Sequence, residues 1–326
     1  MIIVTGSGGF IGSNLVAGLE AWGAQDIVVV DDFGVSDKWK NISKRSVYDV
    51  IQSSDFFEYI HEYREQIDAI FHMGAISSTI EMDVDKIVRN NINLTLRLFD
   101  FCANEGIRFY YASSASVYGD GSLGFSDIEL DKPYVPLNPY AWSKLCVDKA
   151  ILQRSRSQKD PTPPQWIGLR FFNVYGPNEY HKGSQMSVIP QFLKQILSSG
   201  SSKLFKSYKN GIDHGDQKRD FVYIKDCINF MLWLLERDSI SGIYNVGTGR
   251  AQSFIEVVNA IFKSINKAPL IEFTDMPESL KNHYQYFTQA DMTTVKKLGY
   301  DRNWASVDEG IQDYVRNYLL SNDLFI

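Results

Sequence analysis

The sequence predicts an α/β protein in which a doubly wound parallel sheet is joined to a second, smaller α/β lobe. Short apolar runs alternate with stretches of helical periodicity through the first 170 residues, which is typical of strand–helix–strand units. A glycine-punctuated turn, within MIIVTGSGGFIGSN, follows the first of these runs. Beyond about residue 171 the regular alternation of apolar runs and helical stretches ends and strands and helices follow in irregular order, which indicates the second lobe.

The elements of the sheet follow from largely apolar runs of strand length, as expected of strands buried on both faces. The predicted strands cover residues 2–5, 27–30, 69–72, 109–112 and 166–171. The helix after the glycine turn places Ile11, Leu15, Leu19 and Trp22 on one face, and Gly23 ends it. DPTPPQ, at residues 160–165, directly precedes a predicted strand and therefore indicates a surface loop.

In the second half we expect a helix near residues 187–198, a strand at 220–224 and a helix around 227–236, followed by a further strand and helix. A chain of 326 residues with 44% apolar and 13% aromatic content can bury a core large enough for two lobes.

Composition excludes several classes of partner. The formal net charge of −6 and the lack of a long basic run argue against nucleic acid or an anionic membrane. No apolar run reaches membrane-spanning length and no signal region precedes the first strand, so we expect a cytoplasmic protein. Cys102, Cys146 and Cys227 are odd in number and widely spaced, which predicts neither a disulfide framework nor a metal site.

The glycine turn predicts a dinucleotide site. Gly6, Gly9 and Gly12 stand at three-residue spacing between the first strand and the first helix. Backbone N–H groups at a helix N-terminus bind anions, and glycine lets a pyrophosphate approach the backbone closely.

Charged residues after the second strand bear on which dinucleotide binds. Asp31 and Asp32 lie about twenty residues beyond the turn, where a carboxylate accepts hydrogen bonds from the adenosine ribose and favours NAD. Lys38 could instead meet the 2′-phosphate of NADP. Asp32 and Lys38 are equally consistent with a solvated loop, so the residues alone leave the choice open.

The candidate catalytic groups lie in YAWSK and YASSASVYG. Tyr140 and Lys144 are four residues apart and share one helix face. A neighbouring ammonium favours the phenolate, which can take a hydroxyl proton during hydride transfer. Ser113, Ser114 and Ser116 follow a strand, at the end where open α/β sheets bind their ligands.

Together the glycine turn, the serine cluster and the Tyr140–Lys144 pair resemble the extended short-chain dehydrogenase/reductase family of nucleotide-sugar enzymes, over essentially the whole chain. The resemblance implies a Rossmann-type fold and a catalytic role for Ser114. Dehydratases of this family carry an Asp-Glu pair shortly after that serine. Ser116 and Val117 stand there in this chain, which disfavours dehydration.

Four further stretches, HMGAISSTIE, RFFNVYGPNEYHKGS, KRDFVYIKD and NHYQYFTQAD, resemble one branch of this family, the epimerases of ADP-heptose. That resemblance implies reversible oxidation at C6 of the heptose and return of the hydride to the opposite face. Tyr140 would serve one stereochemical course and Lys182 the other. To act as a base, Lys182 needs a site that lowers its pKa.

The resemblance also supplies ligand-contact residues. The cofactor set is Gly6, Gly9, Phe10, Ile11, Gly12, Asp31, Asp32, Lys38, Met73, Gly74, Ala75, Ile76, Ser77, Asn90, Tyr140 and Lys144. The substrate set is Ser114, Asn173, Val174, Lys182, Ser184, Gln191, Phe205, Arg219 and Tyr284. Arg219 could grip a diphosphate in bidentate fashion, or instead form a structural salt bridge with Asp216 or Asp220.

The chain departs from the pattern of this branch near the ribose. Asp31-Asp32 stands where Asp-Asn is common, and Ser53 and Ser54 stand near a usual lysine. Both changes remove support for a 2′-phosphate. The resemblance still implies NADP, with NAD possible.

The resemblance completes the expected organisation. It implies an NADP-binding domain of residues 1–170, including parts of 218–247, and a mainly substrate-binding domain of residues 171–326. It also implies a homopentamer whose product feeds the heptose of a lipopolysaccharide core. Two alternatives stay open: a UDP-sugar 4-epimerase or related reductase, which would not need Lys182, and a non-catalytic dinucleotide-binding protein.

Overall fold

A computed structural model describes residues 1–129, 131–157, 159–281 and 284–326. Its strands are β1 Ile2–Thr5, β2 Ile27–Val30, β3 Asp49–Ile51, β4 Ala69–His72, β5 Arg108–Ser114, β6 Trp166–Phe171, β7 Asn173–Tyr175, β8 Ser202–Phe205, β9 Lys218–Arg219, β10 Phe221–Tyr223, β11 Gly242–Val246, β12 Gln252–Ser253 and β13 Ile271–Thr274. Its α-helices are α1 Phe10–Trp22, α2 Phe56–Glu62, α3 Val84–Ile87, α4 Leu94–Glu105, α5 Pro139–Arg156, α6 Val188–Ser199, α7 Ile224–Leu235, α8 Phe254–Ser264, α9 Glu278–Lys281, α10 Thr293–Lys297 and α11 Val307–Tyr314.

A seven-stranded sheet forms the centre, in the order β11-β6-β5-β4-β1-β2-β3. All its pairings are parallel, and β1 lies where the strand order reverses. The Rossmann-type doubly wound fold is thereby confirmed. Ligands of such sheets bind at the carboxyl ends of the strands, beside the point of reversal.

Most of the predicted strands are confirmed at their predicted bounds. The strand predicted at 109–112 is longer, since β5 runs from Arg108 to Ser114. The short edge strand β3 was not predicted, because its central Val50 is exposed and its sequence carries no continuous apolar run. β11, which follows residue 218, pairs with β6 at the edge of the same sheet. The division into domains stays a prediction.

The first helix begins and ends at the glycines that the sequence indicated. Gly9 caps α1 at its N-terminus, and Gly23 ends it with a left-handed φ of 102°. Leu15 and Leu19 are buried in the core. Trp22, predicted on the same face, is instead 45% exposed and donates from its indole to Glu236, because it stands in the last turn of the helix.

A second lobe is built from strand pairs and three helices. β7 pairs with β10 and β8 with β13, both parallel, while β9 and β12 run antiparallel. α6, α8 and α11 supply its helical layer. None of the helices in the described chain has both the length and the apolarity to cross a membrane. Cys102, Cys146 and Cys227 are unpaired, and the described residues contain no cluster of metal-ligating side chains.

One buried ion pair ties the helix α5 to the centre of the sheet. Asp148 Oδ2 accepts from Arg170 Nε at 2.8 Å and from the Ser113 hydroxyl at 3.0 Å, and both charged side chains are 0% exposed. Asp148 Oδ1 accepts from the Tyr111 hydroxyl, and Arg170 donates onward to Tyr118. Neither charged group can be solvated by water, so each is stabilised by the opposite charge of the other.

We expect Asp148→Ala to lower the free energy of unfolding by about 3–5 kcal/mol, because Arg170 would be left buried without its anion. Urea denaturation followed by circular dichroism measures this. Replacing both groups, as Asp148→Leu with Arg170→Met, should lose less than the sum of the single losses. The matched control is Asp131→Ala, which breaks an exposed pair with Arg156 and should change stability by less than about 1 kcal/mol. Strictly additive losses at Asp148 and Arg170 would contradict the interpretation.

Candidate active site

A cleft of about 920 Å³ opens between the two lobes at the carboxyl ends of the central strands. Residues at or just after the carboxyl ends of β1, β2, β4, β5 and β6, together with the start of α5, line one wall. Residues from β7, β9, β10, the turn before α6 and the start of α8 line the other. The predicted site residues in this lining are Gly6, Gly9, Phe10, Ile11, Gly12, Asp31, Lys38, Met73, Gly74, Ala75, Ser77, Ser114, Tyr140, Lys144, Asn173, Val174, Lys182 and Arg219.

The glycine turn fits a dinucleotide because no side chain could occupy it. A Cβ on Gly12 would stand 2.2 Å from the Gly6 carbonyl oxygen, and one on Gly6 would stand 2.5 Å from the backbone of Gly74. Gly6 also has a positive φ of 66°. No side chain caps the N-terminus of α1, so the helix presents backbone N–H groups to the cleft.

After β2, Asp31 and Lys38 form an ion pair. Lys38 Nζ lies 2.5 Å from Asp31 Oδ1, while Asp31 Oδ2 accepts the backbone N–H of Gly8 at 2.8 Å. Asp32 points away from the cleft and accepts the N–H of Ser53 at 3.2 Å. Asp31, which favours NAD, and Lys38, which favours NADP, therefore form one ion pair. Asp32 is not part of it.

The segment after β4 is held by Asn91, the neighbour of Asn90, whose contact with the cofactor stays a prediction. Asn91 is buried; its Oδ1 accepts the N–H of Ile76 at 2.8 Å, and its amide donates to the Ile76 carbonyl and to Ser143. Asn90 is exposed and donates to the Lys86 carbonyl on its own helix. Asn91 thus links the cofactor side of the cleft to α5, and Ile76 lies behind the lining.

The start of α5 brings Tyr140 and Lys144 into the cleft. Asn138 caps the helix by accepting the N–H of Ala141 at 2.9 Å, and Pro139 takes the first helical position, which suits its fixed φ. Lys144 Nζ lies 5.9 Å from the centroid of the Tyr140 ring and donates to the Ala112 carbonyl at 2.7 Å. Tyr140 and Lys144 therefore lie on one face of α5, as predicted.

Burial governs the proton affinities of this pair. It raises the pKa of Tyr140, and the Ser114 hydroxyl opposes that rise. It lowers the pKa of Lys144 to about 8, which Asp148 one turn on opposes. The expectation that the ammonium would favour the phenolate is not met by the protein groups alone, because desolvation of the phenolate outweighs the other influences on Tyr140.

Lys182 enters the cleft from the opposite lobe. It lies on the short 3₁₀ segment Tyr180–Gln185, and its Nζ stands 5.5 Å from the centroid of the Phe10 ring at the start of α1. Burial lowers the pKa of Lys182, and the nearby Glu179 opposes this. The direction is the one that a lysine needs to act as a base near neutral pH.

Arg219 is a buried cation that faces the cleft, and no anion among the described residues forms a salt bridge with it. Its Nη1 donates to the Lys218 carbonyl, and its guanidinium lies 5.3 Å from the Tyr284 ring and 5.9 Å from the Phe254 ring. Burial lowers its pKa. Within the described chain it forms no salt bridge with Asp216 or Asp220, so the structural alternative is wrong; Asp220 instead caps the loop at Thr248 and Gly249.

The remaining predicted substrate residues lie outside the lining. Ser184 and Gln191 are exposed, and Gln191 donates to carbonyls of its own turn. Phe205 ends β8, and Tyr284 covers Arg219 rather than the cavity. Their role in binding stays a prediction.

The lining also includes residues that sequence reasoning left out. Gln185 donates to Ser78 across the two lobes, and His181 contacts Asn41, which in turn bonds the Gly8 carbonyl. These contacts join loops that are far apart in the sequence, so no local pattern could indicate them. Phe254 is the exception, because it directly follows a capping residue that the sequence marks.

Comparison with known proteins defines the class. The NAD dependent epimerase/dehydratase family matches residues 2–247, and the chain belongs to this family. Its cofactor is accordingly a nicotinamide dinucleotide. Over its full length the chain is 43% identical to an ADP-L-glycero-D-manno-heptose-6-epimerase of Fusobacterium nucleatum, with 100% of both chains covered.

Solved structures agree. The crystal structure of Helicobacter pylori ADP-L-glycero-D-manno-heptose-6-epimerase superposes with a TM-score of 0.79 at 28% identity, covering 97% of this chain and 95% of that one. UDP-glucuronic acid 4-epimerase from Bacillus cereus in complex with NAD gives a TM-score of 0.76 at 26% identity, covering 97% and 98%.

We expect Arg219→Met to weaken binding of ADP by roughly 10- to 100-fold, because a charge-assisted contact to phosphate is lost. The same variant should keep or raise the melting temperature, since it removes a buried charge that has no partner anion in the part of the chain that the structure describes. Isothermal titration calorimetry and thermal denaturation measure the two effects. Arg156→Met, at an exposed pair, is the control and should leave ADP binding unchanged. A clear loss of stability in Arg219→Met would show a structural role instead.

Proposed function

We propose that this chain inverts C6 of the heptose in ADP-D-glycero-D-manno-heptose to give the L-glycero epimer. The observation that carries the proposal is that one cleft receives Tyr140 from the first lobe and Lys182 from the second. An epimerase that oxidises and re-reduces one carbon on opposite faces needs proton-transfer groups on both sides. The full-length similarity to named heptose epimerases supports the choice of sugar.

Each group has a distinct part in this mechanism. Tyr140 takes the C6 hydroxyl proton as the C6–H bond is broken, and Ser114 holds the same oxygen. A nicotinamide dinucleotide held by the glycine turn and Lys144 would supply the hydride acceptor and donor for C6, and its positive charge in the oxidised state would favour the Tyr140 phenolate. The 6-ketone then rotates in the cleft so that its opposite face receives the hydride. Lys182 donates the proton that completes the hydroxyl group of the epimer. Lys144 orients the dinucleotide beside Tyr140, and Arg219 holds the diphosphate.

We expect both Tyr140→Phe and Lys182→Met to lower epimerisation by on the order of 10²- to 10⁴-fold, because each removes one proton-transfer group. Proton NMR of the purified protein with ADP-D-glycero-D-manno-heptose follows the interconversion. Tyr208→Phe and Lys203→Met, both at exposed ion-pair or hydrogen-bond sites, are the matched controls and should retain the rate.

Incubation with UDP-glucose separates the proposal from its alternative. Turnover of UDP-glucose, or full activity of Lys182→Met, would indicate a UDP-sugar 4-epimerase. No turnover of either sugar would indicate a dinucleotide-binding protein without catalysis.

The cofactor that we propose is NADP, with NAD tolerated. Lys38 is supported as the ligand of the 2′-phosphate because it lies in the cleft lining, and Asp31 as the ligand of a free ribose because it lies beside Lys38. The ion pair between them balances the two preferences. Residues that would hold the pyrophosphate are the glycines of the turn, whose cradle excludes any side chain.

Lys38→Ala should weaken binding of NADP by roughly tenfold or more and leave the affinity for NAD within about twofold, since only NADP offers a phosphate to the lysine. Fluorescence titration of the reduced dinucleotides measures both affinities. Asp32→Asn is the control, because Asp32 lies outside the lining, and should change neither. An equal loss for both dinucleotides would contradict the assignment of Lys38.

We further propose that the protein works in the cytoplasm as a homo-oligomer, a pentamer by the resemblance of its sequence, and that its product supplies the heptose of a lipopolysaccharide core. Light scattering of the purified protein tests the assembly, since a pentamer has five times the 37.2 kDa of one chain.

A further inference from the structure

The turn that carries Lys182 is closed at its base by one buried carboxylate, Glu179. Glu179 directly precedes the 3₁₀ segment Tyr180–Gln185 and is 1% exposed. Ser187 follows the segment and caps α6. Both ends of the turn therefore meet at a single side chain.

Donors from three parts of the chain converge on this carboxylate. Glu179 Oε2 accepts the N–H of Ser187 at 2.5 Å, and Oε1 accepts the Ser187 hydroxyl at 2.7 Å. The Tyr314 hydroxyl of α11 donates to Oε1 at 3.0 Å, and the N–H of Gly176 donates at 3.4 Å. Burial raises the pKa of Glu179, and the donors from Ser187, Tyr314 and Gly176 oppose that rise. Backbone N–H groups can only donate, so these contacts favour the ionised form.

Other contacts of the turn are weaker anchors. Gly183 interrupts its helical geometry with φ 55° and ψ −120°, and Gly183, Ser184 and Gln185 are exposed. The hydrogen bonds from Gln185 to Ser78 and from Tyr180 to the Leu324 carbonyl lie at the surface. The N–H of Lys182 itself donates to the Glu179 carbonyl at 3.0 Å. The Asn41 amide also contacts His181 Nδ1 within the turn, at 3.1 Å. Glu179 is the group that joins the two ends of the turn, so the placement of Lys182 depends on it.

We propose that Glu179 is a positioning residue for Lys182, which fixes both ends of the turn so that the lysine nitrogen stands in the cleft opposite Tyr140. The proposal rests on the proposed function, in which Lys182 is the second proton-transfer group. A displacement of about 1 Å of such a group can lower turnover on the order of 10²-fold.

Glu179 also acts on Lys182 through its charge. Burial lowers the pKa of Lys182, and Glu179 is the group that opposes this. Around it, burial and then the Lys38 and Lys182 charges lower the pKa of His181, while burial raises the pKa of Tyr180 and of Tyr314, so all three are neutral near pH 7. Removing the anion should lower the pKa of Lys182 further, and its neutral form would then be available at lower pH.

The test is Glu179→Gln, which keeps the shape and removes the charge. We expect kcat to fall on the order of 10- to 100-fold with little change in KM. In the D-glycero to L-glycero direction Lys182 donates a proton, so the descending limb of the kcat–pH profile should move to lower pH. Reductive methylation with ¹³C-formaldehyde, with the Lys182 signal assigned from Lys182→Arg, gives the titration of Lys182 by NMR without substrate. That titration should move in the same direction.

Two further variants separate position from charge. Tyr314→Phe removes one donor and keeps the carboxylate, so kcat should fall several-fold while the pH limb stays in place. Asp127→Asn is the matched control: Asp127 is buried and accepts from Asn245 at 2.8 Å and Thr294 at 2.6 Å, away from the cleft. Asp127→Asn should lower the melting temperature and leave both the limb of the kcat–pH profile and the NMR titration of Lys182 unchanged.

A lowered melting temperature in Glu179→Gln, with an unmoved pH limb and an unmoved Lys182 titration, would show a merely structural acid and overturn the proposal. Unchanged kcat in both Glu179→Gln and Tyr314→Phe would overturn it as well. Retained turnover in Lys182→Met would instead overturn the proposed function, and the substrate-free titration of Lys182 would still decide the proposal on Glu179.

Discussion

The close approach of the first glycine turn to the chain after β4 is the constraint on which the rest of the site depends. A Cβ on Gly6 would stand 2.5 Å from the backbone of Gly74, and a Cβ on Gly12 would stand 2.2 Å from the Gly6 carbonyl oxygen, so neither position admits a side chain. This contact fixes where the N-terminus of α1 points. It also fixes the position of the residues that follow β4, which Asn91 then ties to α5 and so to Tyr140 and Lys144. The glycine turn and the start of α5, which carries the proposed base Tyr140, are thus held in one fixed arrangement.

Charge is distributed unevenly around the cleft. Asp148 and Arg170 neutralise each other beneath the sheet, and Asp31 and Lys38 do so after β2. Arg219 and Lys182 enter the cleft without such a partner ion pair in the described chain. A cleft that holds two poorly compensated cations is suited to a ligand that brings its own negative charge, as a nucleotide diphosphate does. The overall acidity of the chain gave no sign of this, because a net charge sums over the whole surface.

The sequence predicts the first lobe well, because buried parallel strands are apolar at nearly every position and the glycine turn has a physical cause that is local. It predicts less where the cause is distant. The edge strand β3 has no apolar run, and Trp22 leaves the apolar face because it stands where α1 ends. Asn90 and Asn91 are adjacent in the sequence, and only the phase of the helix decides which of them reaches Ile76. Glu179 looks like one more acid in a loop until Tyr314 and Ser187 are seen beside it.

The contacts between the lobes have a consequence for how such proteins can be recombined. Lys182 rests on Phe10, and Asn41 and Asn178 exchange hydrogen bonds, so the second lobe takes its alignment from loops of the first. Asn14 adds a bond to the Pro177 carbonyl from within α1. A chimera that exchanges everything after residue 171 between two family members could fold each half correctly and still misalign its catalytic groups. In lineages of this architecture, the loops around residues 10, 41 and 178 should therefore change together with the sugar-binding half.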